Sequence, residues 1–205
     1  MLSDGTAAVA FTLQTDAHNS ASSEYSQEIA YAVVGKPKTS AVEALADGTP
    51  AEYQVLRYVQ MTDDTNLDEN PQLAAVKLSN ADDADAVFVL GWHSLSSDGG
   101  SDIRLVAVDK SGNQVTGFVD SLSNLIQNTG VAVSSNFQFV QNADSLDELS
   151  VLWAETVTAE NPQDVDQPSH DYLSALRFRV VDDQGTNKIS VTSAQRLVEM
   201  DDFTA

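Results

Sequence analysis

The stretch 63–71, Asp-Asp-Thr-Asn-Leu-Asp-Glu-Asn-Pro, has the spacing most suited to chemistry in this sequence. Asp64, Asn66 and Asp68 fall at alternate positions, and Asn70 follows at the same interval. Oxygen-bearing side chains at positions 1, 3 and 5 of a loop suit Ca²⁺, a hard cation that takes about six to eight oxygen ligands. The loop is not a complete twelve-residue calcium loop. Its sixth position is Glu69 where such a loop wants glycine, and its twelfth is Ala75 rather than a bidentate glutamate. Asp64, Asn66, Asp68 and Asn70 are the expected metal ligands, and calcium the expected cofactor. The competing reading is a solvated acidic connection between strands.

Two further acidic groups are weaker. Asp82, Asp83 and Asp85 directly precede a strand, so a polar turn accounts for them. Asp164, Asp166 and Asp171 surround His170 in a proline-bearing stretch that lacks glycine. His18, His93 and His170 fall near strand ends and could meet on one face as transition-metal ligands, or stand apart in exposed loops. Arg104 and Arg177 share one repeat position, with Arg57, Arg179 and Arg196 elsewhere. An alternating strand puts such residues opposite the core, facing solvent and the many acids. Trp92, Trp153 and Phe11 occupy matching strand positions, as stacking platforms for sugars or as core residues.

These groups have to be held by strands. Segments 7–15, 29–34, 53–61, 86–92, 103–109 and 173–181 are rich in Val, Ile, Phe and Tyr and are bounded by Asp, Asn, Gly and Ser. Only 40–47 and 120–128 suggest short helices.

The strands recur. Ile103 lies 74 residues after Ile29, and Leu176 lies 73 after Ile103; each begins an alternating segment followed by a polar turn. Asp109-Lys110-Ser111-Gly112 matches Asp182-Asp183-Gln184-Gly185, where Asp starts a turn and Gly accepts positive φ near its end. The unit is four strands, at 72–78, 86–92, 103–109 and 114–120 in the middle copy. The copies run 7–62, 69–122 and 134–200, the first without its first strand. Length differences fall in the connections 35–52 and 156–171.

Tandem four-stranded units of this kind resemble the blades of bacterial β-propellers, including the sialidase and Asp-box type. Ser96, Asp98 and Gly100 match the first part of an Asp box, while Asp102 and Ile103 replace its threonine and aromatic. The segment also sits between the second and third strands, not in the following turn. The resemblance implies an all-β fold of three blade-like repeats in a single domain. Three blades do not close a ring. The chain is then part of a longer protein, or copies of it complete a ring as an oligomer, or the repeats pack as a sandwich.

Composition removes several partners. A net charge of −21, from 10 basic and 31 acidic residues, is incompatible with clustered phosphate contacts, which excludes nucleic acid. Anionic membrane surfaces are disfavoured on the same ground. No apolar run approaches the roughly 18 residues of a membrane span, and the first residues show no signal peptide. The absence of cysteine removes disulfides, thiolate metal sites and a cysteine nucleophile. The expectation is a non-catalytic recognition or display module of a secreted or cell-surface bacterial protein, with a protein or carbohydrate ligand. The alternatives are a fragment of a sialidase-like glycosidase and a calcium-stabilised structural or oligomerisation domain.

Overall fold

The computed structural model describes residues 5–15, 26–35, 54–79, 86–97, 99–117, 119–126, 132–141, 145–157, 170–183 and 186–199. Its elements are β1 (Ala7–Thr15), β2 (Ser26–Gly35), β3 (Gln54–Gln60), β4 (Leu67–Lys77), β5 (Ala86–Leu95), β6 (Ser101–Val108), β7 (Asp120–Ser121), α1 (Leu122–Leu125), β8 (Ala132–Gln141), β9 (Leu149–Val157), β10 (His170–Asp183) and β11 (Thr186–Glu199). The fold is all-β, as the period-two patterning requires, with a repeat-like strand order. The expected helix at 40–47 and the acidic group at 82–85 lie outside the described residues.

The strands form two sheets, and the described residues form no closed ring. One has the order β1-β2-β4-β5-β6-β7, with β3 on the far side of β2; the other is β11-β10-β9-β8. Within the first sheet, β1, β2 and β3 pair antiparallel, and among the described residues β2 pairs with β4 in parallel at Gln27 and Leu67. Chain order and pairing thus make three successive antiparallel groups, β1–β3, β4–β7 and β8–β11.

The middle group is covered on both faces. Every residue from Val87 to Ser94 of β5 is buried, as a strand between two apolar layers must be. Val87, Val89, Ile103 and Leu105 share one core cluster with Phe137, Val151, Trp153, Leu176 and Phe178 of the second sheet. Phe88, Leu90, Trp92, Val106 and Val108 share the other with Ile29, Tyr31 and Val33 of β2. Gly91 belongs to the close contact with the second sheet, since a Cβ there would sit 2.7 Å from Phe139 Cζ and 3.0 Å from Leu105 Cδ2.

The fourth strand of the middle repeat is reduced. Gln114 makes one bridge to Val108, the Val115 amide bonds the Ala107 carbonyl, and regular pairing returns only at Asp120 and Ser121. The expected turn before it is present. Asp109 Oδ1 accepts from the amides of Ser111 and Asn113, each at 2.8 Å, and Gly112 takes φ +79°. Short helix α1 follows, capped by Ser121, whose hydroxyl accepts the Asn124 amide at 3.2 Å.

Candidate metal centre

Three carboxylates meet where the first strand group joins the second. Asp64 and Asp68 stand at the entry to β4, and Glu28 stands near the start of β2, beside the Gln27–Leu67 pair. One oxygen from each lies within 4.8 Å of the other two. These three residues lie close enough to coordinate a divalent ion.

Burial distinguishes this group from an ordinary acidic loop. Glu28 is 1% exposed and Asp68 is fully buried, while Asp64 is open to solvent. Glu28 Oε2 and both carboxylate oxygens of Asp68 have no hydrogen-bond partner. Buried charge of this kind is costly unless it is paired, protonated or bound to a metal. Burial raises the pKa of Asp68, and the neighbouring Asp64 and Glu28 charges raise it further. The hydroxyls of Ser94 and Thr62 pull it down, though neither is placed to make a hydrogen bond. Thr62 Oγ1 is instead the acceptor for the Ile29 amide at 2.8 Å. That bond, with those of the Met61 and Thr62 amides to the Ile29 carbonyl, fixes the 61–66 segment against β2. It brings residues almost forty positions apart into one site.

Two of the four residues expected as ligands from the sequence, Asp64 and Asp68, meet in this group, and Asn66 and Asn70 are engaged elsewhere. The Asn66 backbone amide donates to Asp64 Oδ1 at 2.7 Å and its side-chain Nδ2 to Asp64 Oδ2 at 3.2 Å, so Asn66 orients Asp64. Asn70 has φ +52° and accepts from Gln72 Nε2 at 3.4 Å, on the wall of a different cavity. Glu28 was not singled out in the sequence. Its only local signal is an acid directly before the apolar run 29–34, with nothing to say what it would face.

The remaining candidates separate. His93 is 5% exposed within β5; its Nδ1 lies 3.3 Å from Glu69 Oε1 without the alignment for a hydrogen bond. His18 lies outside the described residues, as do Asp98, Asp164 and Asp166. The loop at 96–100 is a hairpin connection, in which the Ser96 amide and hydroxyl both donate to the Gly100 carbonyl. Trp92 and Trp153 are each 3% exposed and belong to the two cores. Arg177 is exposed, and Arg196 donates to the buried Glu155 at 2.7 Å.

Comparison with protein-family models, with characterised proteins and with solved structures finds no match to this chain. Among the described residues, no helix is long and apolar enough to cross a membrane.

Proposed function

We propose that this chain is a non-catalytic recognition or display module of a secreted or cell-surface bacterial protein. Calcium, bound by Glu28, Asp64 and Asp68, locks its first strand group onto its second. The observation that carries this reading is the convergence of two buried carboxylates, with both oxygens of Asp68 and Oε2 of Glu28 lacking partners. Hydrolytic carboxylates have to touch the scissile bond from positions about 5–10 Å apart. Glu28 and Asp68 are closed off from solvent, so their placement favours a structural ion over a reacting pair. Extracellular modules bind calcium with Kd values of about 10⁻⁴–10⁻³ M, a range filled outside cells and not within them. A strongly acidic, cysteine-free chain is compatible with that setting.

Thermal unfolding with excess Ca²⁺ and with chelator tests this directly. Calcium should raise the melting temperature, and Asp68→Asn and Glu28→Gln should each abolish the rise. An equal rise in both variants would show that the ion binds elsewhere.

A further inference from the structure

The two first strands of the second and third groups carry the same short signature. Asn70-Pro71-Gln72 lies where the pairing of β4 is interrupted and resumes, and Asn136-Phe137-Gln138 lies at such a point in β8, an offset of 66 residues. Both strands are irregular at the same place. The pairing of β4 with β5 shifts between Glu69 and Gln72, and that of β8 with β9 shifts between Val133 and Phe137. Bulges of this kind turn side chains away from the regular alternation and concentrate near functional sites. Asn70 takes φ +52°, a conformation that asparagine adopts more readily than most residues.

The repeated bulges bring the four amides to one place. Asn70, Gln72, Asn136 and Gln138 line a single cavity of about 450 Å³ between β4 and β8, and Leu152 and Leu173 contribute an apolar wall. At the other end of the same two strands the gap is closed. There Gln141 Nε2 donates to the Ala75 carbonyl at 2.7 Å and the Lys77 amide to the Leu146 carbonyl at 2.7 Å.

Charge decides the class of occupant. None of the described residues lining this cavity is charged, in a chain where 20% of residues are. Among them a cation, an anion or a basic peptide would find no countercharge. A side-chain amide offers a donor and an acceptor side by side, which matches neighbouring hydroxyls of a sugar ring. A leucine wall matches the apolar C–H face of that ring. The volume is in the range of small-molecule pockets, about 300–1,000 Å³.

We propose that the groove between β4 and β8 binds a neutral hexose-containing saccharide through Asn70, Gln72, Asn136 and Gln138. This specifies the ligand of the recognition module proposed above and rests on that reading, but it does not depend on the cation. The side-chain NH₂ resonances of the four residues report on it. Cellobiose, lactose and maltose, each titrated into the ¹⁵N-labelled full chain, should include at least one that shifts these resonances saturably. The pair Gln72→Ala and Gln138→Ala should weaken that binding by about tenfold or more with the melting temperature unchanged. If the paired variant unfolds, shift mapping on the unaltered chain decides alone. The proposal is overturned if none of the three sugars shifts these resonances below about 10 mM. It is equally overturned if the shifts map elsewhere, or if an uncharged extended tetrapeptide occupies the groove and the sugars do not. A calcium-dependent melting temperature without sugar binding would retain the ion-locked joint and discard this ligand.

Discussion

The middle strand group has two neighbours, and it holds them by different means. Its junction with β8–β11 is apolar throughout its centre, with Phe137, Trp153, Leu176 and Phe178 packed on Val87, Val89, Ile103 and Leu105. The acid at its margin is well served. Asp147 accepts from Ser79 at 3.1 Å and from Ser145, and it lies 3.5 Å from Arg179 Nε; these contacts, led by Ser145, hold its carboxyl below the ordinary value. The junction with β1–β3 has an apolar centre too, but at its margin both carboxylate oxygens of buried Asp68 and Oε2 of buried Glu28 lack hydrogen-bond partners. One interface pairs its marginal acid within the chain, and the other gathers three carboxylates close enough to coordinate a divalent ion. Strand groups of similar pattern are therefore joined in two ways, and under the function proposed above only one should respond to the ionic composition of the medium.

The largest effect should come from the apolar junction. Phe178→Ala removes a fully buried ring and should cost about 3–5 kcal/mol, roughly 6–20 °C in melting temperature for a chain of this size. That loss should be the same in calcium and in chelator. If chelation deepens it substantially, the two junctions are not independent.

Calcium itself comes next. At a concentration near 100 times Kd, binding to the folded state alone stabilises by about 2.7 kcal/mol. The unaltered chain should show this gain in a melting comparison of calcium with chelator. A gain of the same size in Glu28→Gln would break the contrast between the junctions.

The third prediction concerns pH. Asp68 has its pKa raised in the folded chain, chiefly by burial, so the folded state binds its proton more tightly than the unfolded state does. Without metal, the ionised carboxylate is therefore a destabilising contribution, fully present above the raised pKa. It fades as pH falls through that value towards the ordinary aspartate range, near 3.8. In chelator, Asp68→Asn should melt above the unaltered chain at neutral pH, and the gap should close on acidification. The calcium gain should shrink over the same interval, because protons and the ion compete for one carboxylate. A gap that widens as pH falls would contradict the buried, unpaired state of Asp68.

The smallest effect is polar and local. Tyr31 Oη donates to the Gly112 carbonyl at 2.7 Å, linking β2 to the turn after β6. Tyr31→Phe leaves that carbonyl without its partner and should cost about 1–2 kcal/mol, with the calcium gain retained. Loss of the calcium gain in this variant would mean that the ion site depends on the whole joint and not on its three carboxylates.

The strands were legible because alternation is local. The segment 7–15 is β1 residue for residue, and the segment 86–92 falls within β5. The strand order is repeat-like, which is compatible with the 74-residue rhythm. The start of β4 was less legible. Leu67 to Asn70 read as a metal loop, yet they are strand residues that pair with β5 around a bulge. The candidate site was half legible for the same reason. Asp64 and Asp68 share a local spacing, whereas Glu28 reaches them only through the parallel contact of β2 with β4, and a single sequence carries no trace of that pairing. The two Asn-x-Gln signatures were visible as letters, but their meeting depends on two bulges and the closeness of β4 to β8.

The most direct measurement is a calorimetric titration of Ca²⁺ into the metal-free chain, repeated with Glu28→Gln and Asp68→Asn. The ion-locked joint predicts one site per chain, filled at millimolar calcium, that disappears in both variants while their folded sheets persist. An isotherm unchanged by these substitutions, or no binding to the unaltered chain at millimolar calcium, would contradict it.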